Sequence, residues 1–361
     1  MKLSWYFFSQ FIPPFFFGSV LFLFVLLLDR LFDIIDLIFN KGVAWPLVAQ
    51  LFMLFIPTVL PLTLPMASLL GCLVTFGRLS EENELSAVRS AGIPLYRVLW
   101  LAPFFTFLIS VGMLPFNTNV APWANRGFRS IYEQIANADP LINIQPKKFF
   151  AVKNVKLFPE SVDKEKNQLE NLFVYQTNED GSPPGRIFAK RGALTAEPDA
   201  YHLDLFDGHM DRHDPVSPKR YTHTIFETYR ITLPISKEMA AKSTRFRNFS
   251  SKELASMIQD MKLKGMPHRP LQAEKNLRIA IAFAPFFLAL VGIPLATALR
   301  RGGKGFGFGI SIVVLFVYYT LLISGLTFAE KGILPAPLAL WMGNGACLIT
   351  SIVLIVKLLK Q

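Results

Sequence analysis

Six stretches of the 361-residue chain are so apolar that a water-soluble fold has no use for them. They lie at about residues 11–28 (its helix continuing to Phe39), 47–76, 98–116, 279–299, 306–329 and 333–356. A helix rises about 1.5 Å per residue, so roughly 20 apolar residues cross the hydrocarbon of a bilayer. These stretches read as six transmembrane helices. Composition agrees: 52% of residues are hydrophobic, 34 are Phe, and 17% are charged. Lys2 alone precedes the first apolar run as a cation, and no small-x-small cleavage pattern follows it cleanly. That run is therefore read as a retained span, not a cleaved leader.

The net charge of +11 would fit nucleic acid if it formed a basic face. It does not. Residues 121–278 carry 25 Lys and Arg against 19 Asp and Glu, and the other 12 cations sit at span ends. One membrane side collects nine of these: Lys2, Arg78, Arg89, Arg97, Arg300, Arg301, Lys304, Lys357 and Lys360. The other side has three, Arg30, Lys41 and Lys331. The positive-inside rule then places both termini and residues 77–97 in the cytoplasm, and the long segment between spans three and four outside it. Cys72 and Cys347 lie within apolar runs without a CxxC partner, so they read as packing residues, not as a disulfide or zinc site.

The outer segment changes period. "KKFFAVKNVKLF", "NLFVYQT", "RIFAKRGALTA", "AYHLDLF" and "YTHTIFETYRITLPI" are short runs rich in aromatic and β-branched residues, separated by "NEDGSPPG" and "DGHMDRHDPVSP". They predict a β-sandwich or jelly roll. In the last run Ile225, Tyr229, Ile231 and Leu233 share a face, with Glu227 out of phase; Phe226 is out of phase on the other. "SSKELASMIQDMKLKG" then predicts a helix, with a Ser250–Glu253 capping box and Gly265 as its stop. The expected division is 1–120 (spans one to three), 121–249 (outer β domain), 250–272 (linker helix) and 273–361 (spans four to six).

Between spans two and three sits "GRLSEENELSAVRSAGIP", a short polar helix expected over 81–91, with Ser80 as N-cap and Gly92 and Pro94 as terminators. On a helical wheel Leu85, Ala87, Val88 and Ala91 share an arc, and Glu84 falls in its middle. No cation one turn away can pair with Glu84. A carboxylate on an apolar face is costly to bury alone, unless a partner supplies a groove with a cation in it. The alternative is an interfacial helix whose Glu84 reaches out to water.

The stretch "LPMASLLGCLVTFGRLSEENELSAVRSAGI" resembles the corresponding part of the lipopolysaccharide-export permeases, the LptF/LptG (YjgP/YjgQ) family. "EKNLRIAIAFAPFFLALVGIPLA" resembles that family's entry to its fourth span, and "RRGGKGFGFGISIVVLFVYY" and "GILPAPLALWMGN" its last two. The resemblance covers nearly the whole chain, and "EKNLRI" and the strand region are slightly closer to the LptF branch. It implies an integral membrane α-helical fold of six transmembrane helices with an inserted extracytoplasmic β-jelly-roll domain. It implies an inner-membrane subunit, in a Gram-negative bacterium, of an ATP-binding-cassette transporter that extracts lipopolysaccharide.

Partners implied are a dimeric cytoplasmic LptB-like ATPase, a paralogous permease and LptC- and LptA-like periplasmic bridge proteins, with no cofactor and no nucleic acid. The family's coupling acid matches Glu84, and with it go Leu85, Val88 and Arg89 as the ATPase-coupling surface. The family's lipid-phosphate contacts correspond to Arg30 and Lys41, beside which Asp29, Asp33 and Asp36 are a mismatch because they repel phosphate. Rival readings are a lipid-modifying membrane enzyme and a non-transporting envelope-assembly scaffold. An enzyme needs converging titratable groups, and only the Asp29–Asp36 cluster offers any.

Three further features take bland explanations. Pro57, Pro61 and Pro65 read as prolines facing neighbouring helices, with a bent cavity wall as the alternative. "RRGGKGFGFG" lacks the ending of a phosphate loop and reads as a turn followed by a Gly305–Gly309 packing pair. His209, Asp211, His213 and Asp214 read as an exposed loop, not a metal site.

Overall fold

A computed structural model describes residues 2–35, 43–138, 146–152, 155–163, 168–176, 185–196, 200–213, 221–234, 246–298 and 306–359. It divides into two units, Met1–Phe128 with Phe246–Gln361, and Arg129–Arg245.

The first unit is helical: α1 (Lys2–Ile35), α2 (Trp45–Glu81), α3 (Glu84–Ser90), α4 (Leu95–Leu99) and α5 (Leu101–Pro115), then a π-helical turn (Phe116–Val120) leading into α6 (Ala121–Ala138), whose residues from Arg129 on belong to the second unit. After the second unit come a 3-10 turn (Phe246–Asn248), α7 (Ser251–Leu263), α8 (Arg269–Ala298), α9 (Phe306–Lys331) and α10 (Ala336–Leu359). Among the described residues six helices are long and apolar enough to cross a membrane, and they coincide with the six expected spans. The helix predicted after the strands is present as α7, with both arms of its Ser250–Glu253 capping box formed and Gly265 at φ +66°. The Glu253 carboxyl is held below its usual range, first by the Ser250 backbone N–H and then by the Ser250 hydroxyl.

Helix α8 is the centre of this bundle. Some 61% of its apolar window is buried, against 22–33% in the other five. Small residues make that possible, because helices without bulky side chains approach closely. Ala273, Ala280, Ala284 and Ala289 are fully buried, and a Cβ on Gly292 would lie 2.9 Å from the Cβ of Cys72. Both cysteines are buried free thiols. On α1, Phe7, Phe11 and Phe15 recur every four residues and are buried, and Phe15 meets Phe105 of α5 edge-on at 5.6 Å. The opposite stripe, Phe16, Phe17, Val20 and Phe24, is exposed and suits lipid. Helix α2 runs unbroken through Pro57, Pro61 and Pro65. Gly309 has open space where a Cβ would be, while Gly307 is the residue that meets the backbone of α2; Gly305 lies outside the described residues.

Helices α9 and α10 touch so closely at Gly325 that an added Cβ would sit 2.1 Å from the Ala339 carbonyl oxygen. A backbone atom cannot rotate away, so Gly325→Ala forces the two helices apart. Overpacking of this kind costs about 3 kcal/mol. Thermal melting of the detergent-solubilised variant should show a clearly lowered midpoint; an unchanged midpoint would disprove the contact.

The second unit is built on one antiparallel sheet of β1 (Phe150–Val152), β2 (Val155–Asp163), β3 (Gln168–Gln176), β4 (Gly185–Ala196), β5 (Ala200–His213) and β6 (Tyr221–Pro234). Each strand pairs with the next in sequence. The described strands thus form a meander and show no Greek-key crossover of the kind that a complete jelly roll contains.

A crease crosses this sheet. Pairing skips Glu160 opposite Asn171, Asn171 opposite Lys190, Lys190 opposite Asp207, and Asp207 opposite Glu227. Asn171 (φ 49°) and Asp207 (φ 53°) take the left-handed conformation there, which short polar residues tolerate. Strands β2 to β6 turn over at this line. In β4, Ile187 and Ala189 point into the core before it and Leu194 after it; in β5, Leu203 and Leu205 precede it and Met210 follows. The two out-of-phase residues of β6 are the same crease. Phe226 packs on the core before Glu227, Tyr229 and Ile231 after it, and Ile225 is 79% exposed, so Ile225 does not share the buried face of Tyr229. Strand β5 also runs on through His213, so His209, Asp211 and His213 belong to a strand rather than to a loop; Asp214 lies outside the described residues. His223 Nδ1 lies 2.6 Å from Asp211 Oδ1 and draws that carboxyl below its usual range. No metal-holding group of three His, Cys, Asp or Glu is found among the described residues.

Candidate coupling site

The polar helix begins later than its sequence predicts. Helix α2 continues through Ser80 to Glu81, so Ser80, which is buried, is not the N-cap. The chain breaks at Asn83, which sits in the left-handed region (φ 58°, ψ 13°) and caps α3 with its carbonyl, accepting from Ala87 N–H at 2.9 Å. Asn is favoured there for the same reason as at the sheet crease. At the far end Gly92 (φ 74°) takes the left-handed stop position, with Gly92 N–H bonded to the Arg89 carbonyl and Ile93 N–H to that of Val88.

The face of α3 divides differently from the wheel. Leu85 and Val88 are buried in the helical core, as expected of an apolar arc. Ala87 and Ala91 are exposed, and so are Glu81, Glu82, Asn83, Ser90 and Gly92. Leu85 and Val88 therefore anchor α3 to its own bundle and do not themselves form a docking surface. Three carboxylates, those of Glu81, Glu82 and Glu84, lie around the start of the helix, and Arg89 lies in its last turn. An acidic rim of this kind attracts a cationic surface on a partner.

Glu84 is half-buried, and it is not stranded. Tyr6 of α1 donates its phenolic hydrogen to Glu84 Oε1 at 3.3 Å. The same end of α1 holds the neighbouring elements. Ser4 Oγ donates to the Arg97 carbonyl at 3.1 Å, and Arg78 Nη2 donates to Gln10 Oε1 at 2.6 Å. The first three turns of α1 thus brace α2, α3 and α4 together. Tyr6 was invisible to local spacing, because nothing within one helix connects residue 6 with residue 84. The bond is long and solvent-exposed, so it aims the carboxylate more than it stabilises the fold. Tyr6→Phe should weaken any activity that depends on Glu84 by only about two- to threefold; a loss as large as that of Glu84→Ala would give Tyr6 a role of its own.

The proposed phosphate contacts fall outside the described side chains. The backbone of Arg30 is in α1, but its side chain and those of Asp29 and Asp33 are outside the described residues, as are Asp36 and Lys41 altogether.

Over residues 5–357 the sequence matches the family model described as "Lipopolysaccharide export system permease LptF/LptG". The chain belongs to the LptF/LptG family. It is similar to the lipopolysaccharide export system permease protein LptF of Escherichia coli (strain K12), with 23% identity over 343 residues, 92% of this chain and 89% of that protein. The same figures hold for LptF of Shigella flexneri. LptF/LptG proteins are transport permeases, not enzymes, and the six apolar helices with an inserted β unit fit that class.

Proposed function

We propose that the chain is a permease subunit that turns nucleotide-driven movement of a separate cytoplasmic ATPase into movement of lipopolysaccharide out of the inner membrane. In this reading α3 and both termini face the cytoplasm, as the distribution of basic residues favours. The ATPase is an LptB-like dimer whose cationic groove receives Glu84. A paralogous LptG- or LptF-like permease pairs with this chain. The β unit is periplasmic and hands the lipid to LptC- and LptA-like bridge proteins. Arg30 and Lys41 meet the phosphates of the lipid at the outer end of α1.

One observation carries the coupling role: α3 is fastened to the bundle by Leu85 and Val88 while its acidic rim is exposed. A helix attached in this way transmits a push to the bundle. The test is reconstitution of the chain with its paralogue and an ATPase in proteoliposomes loaded with lipopolysaccharide. ATP should drive transfer of the lipid to a soluble bridge protein. Transfer without the ATPase, or nucleotide hydrolysis with no transfer, contradicts the reading.

A further inference from the structure

Behind α3 the turn at Gly92 and the outer side of helix α4 line an apolar groove of about 710 Å³. Its floor is the end of α8, from Leu290 to Thr297, and its sides are the start of α5 and Ile355 near the end of α10. Helix ends from three spans converge here, so the groove opens at one membrane surface and runs about 10 Å toward the bilayer centre, seven residues of α8 at about 1.5 Å each. Tyr96 and Trp100 stand at its lip, 72% and 49% exposed, the side chains that favour the headgroup level. Arg89 lines the same groove, and no carboxylate is among the described residues lining it.

We propose that this groove binds an acyl chain of an anionic glycerophospholipid, with the lipid phosphate on Arg89. The volume lies in the range of sites for small apolar ligands. An interior of Leu, Ile and Pro suits a hydrocarbon chain and has little to offer a polar peptide. A guanidinium carries five N–H donors in a planar fork, enough to hold a phosphate diester alongside another partner. The lipid occupies space between α4 and α8, behind the helix assigned above to coupling. Its effect on transport rests on that assignment; its binding does not.

Native mass spectrometry of the purified chain in detergent, titrated with dioleoyl phosphatidylglycerol or dioleoyl phosphatidylethanolamine, tests the site without nucleotide or ATPase, so failure of the coupling role leaves the result intact. Wild type should retain the anionic lipid about 10-fold more tightly than the zwitterionic one. Arg89→Gln should abolish that preference and keep chain binding. Leu290→Trp fills the groove and should lower retention of both lipids about 10-fold. Ile355→Trp, at a half-exposed lip position, should do the same without touching the core. Wild-type retention in both tryptophan variants, or an anionic preference that survives Arg89→Gln, overturns the proposal.

Discussion

A Glu84→Ala variant should insert, fold and pair normally, yet lose nearly all nucleotide-driven lipid transfer. Among the described residues the half-buried carboxylate makes one long bond, to Tyr6, so its removal should change stability by no more than about 0.5 kcal/mol. At the proposed interface the same carboxylate would face a cation. Truncating one member of such a desolvated pair costs about 2–5 kcal/mol. Even the lower figure weakens docking about 30-fold. Glu84→Gln, which keeps the shape and one acceptor, should fall between. Glu81→Ala and Glu82→Ala remove exposed rim charges and should alter association rate and salt dependence more than final affinity. The measurements are ATPase stimulation and lipid transfer in proteoliposomes, with thermal melting as the control for folding. Transfer at wild-type rate by Glu84→Ala would remove Glu84 from the mechanism.

Arg278→Met has the largest effect on stability. Arg278 is 7% exposed and ties together the place where the chain re-enters the helical unit. Its Nη1 donates to the Phe249 carbonyl at 2.7 Å, its Nη2 to the Phe246 carbonyl at 2.9 Å, and its Nε to Glu274 at 3.1 Å. Its own carbonyl accepts from Asn117 of the π-helical turn at 3.1 Å. Methionine fills similar space but leaves Glu274 unpaired at 14% side-chain exposure and strips the 3-10 turn of its donors. Removing one member of a buried pair costs about 3–5 kcal/mol. Arg278→Lys keeps the charge, but a single ammonium cannot reach the carbonyls of Phe246, Arg247 and Phe249 and a carboxylate in that geometry, so it should recover only part of the loss. Adding Glu274→Gln to Arg278→Met should restore part of the stability, since the stranded charge is then gone while the carbonyls stay without donors. A double variant no more stable than the single would show that the carbonyl bonds, and not the charge pair, carry the site.

Much of this architecture was legible because it depends on local physics. Apolar runs long enough to cross a bilayer gave six helices with only the ends uncertain, and the Ser250–Glu253 box and Gly265 framed α7 because caps act over four residues. What escaped were effects that cross the fold. The phase of β6 could not be read, since its reversal at Glu227 is set by a crease whose strained residues, Asn171 and Asp207, lie on other strands. The turn residues of "DGHMDRH" looked like a loop because Asp207 and Gly208 serve the crease and not a strand end. Gly208 is required there, as a Cβ would lie 2.2 Å from the Phe188 carbonyl oxygen. At α3 the wheel identified Leu85 and Val88 but not which partner they bury against, which is their own bundle. The start of the helix moved from Glu81 to Glu84 because α2 outlasts its apolar stretch and Asn83 supplies the break.

In the proposed reading the start of α3 docks, on the cytoplasmic side, against a cation of an ATP-hydrolysing subunit. A photo-crosslinking amino acid placed at position 84 in living cells tests it directly. Irradiation should join this chain to a soluble nucleotide-hydrolysing protein, and the same probe at buried position 85 should not. Adducts confined to lipid or to periplasmic proteins, with the complex otherwise assembled, would contradict it.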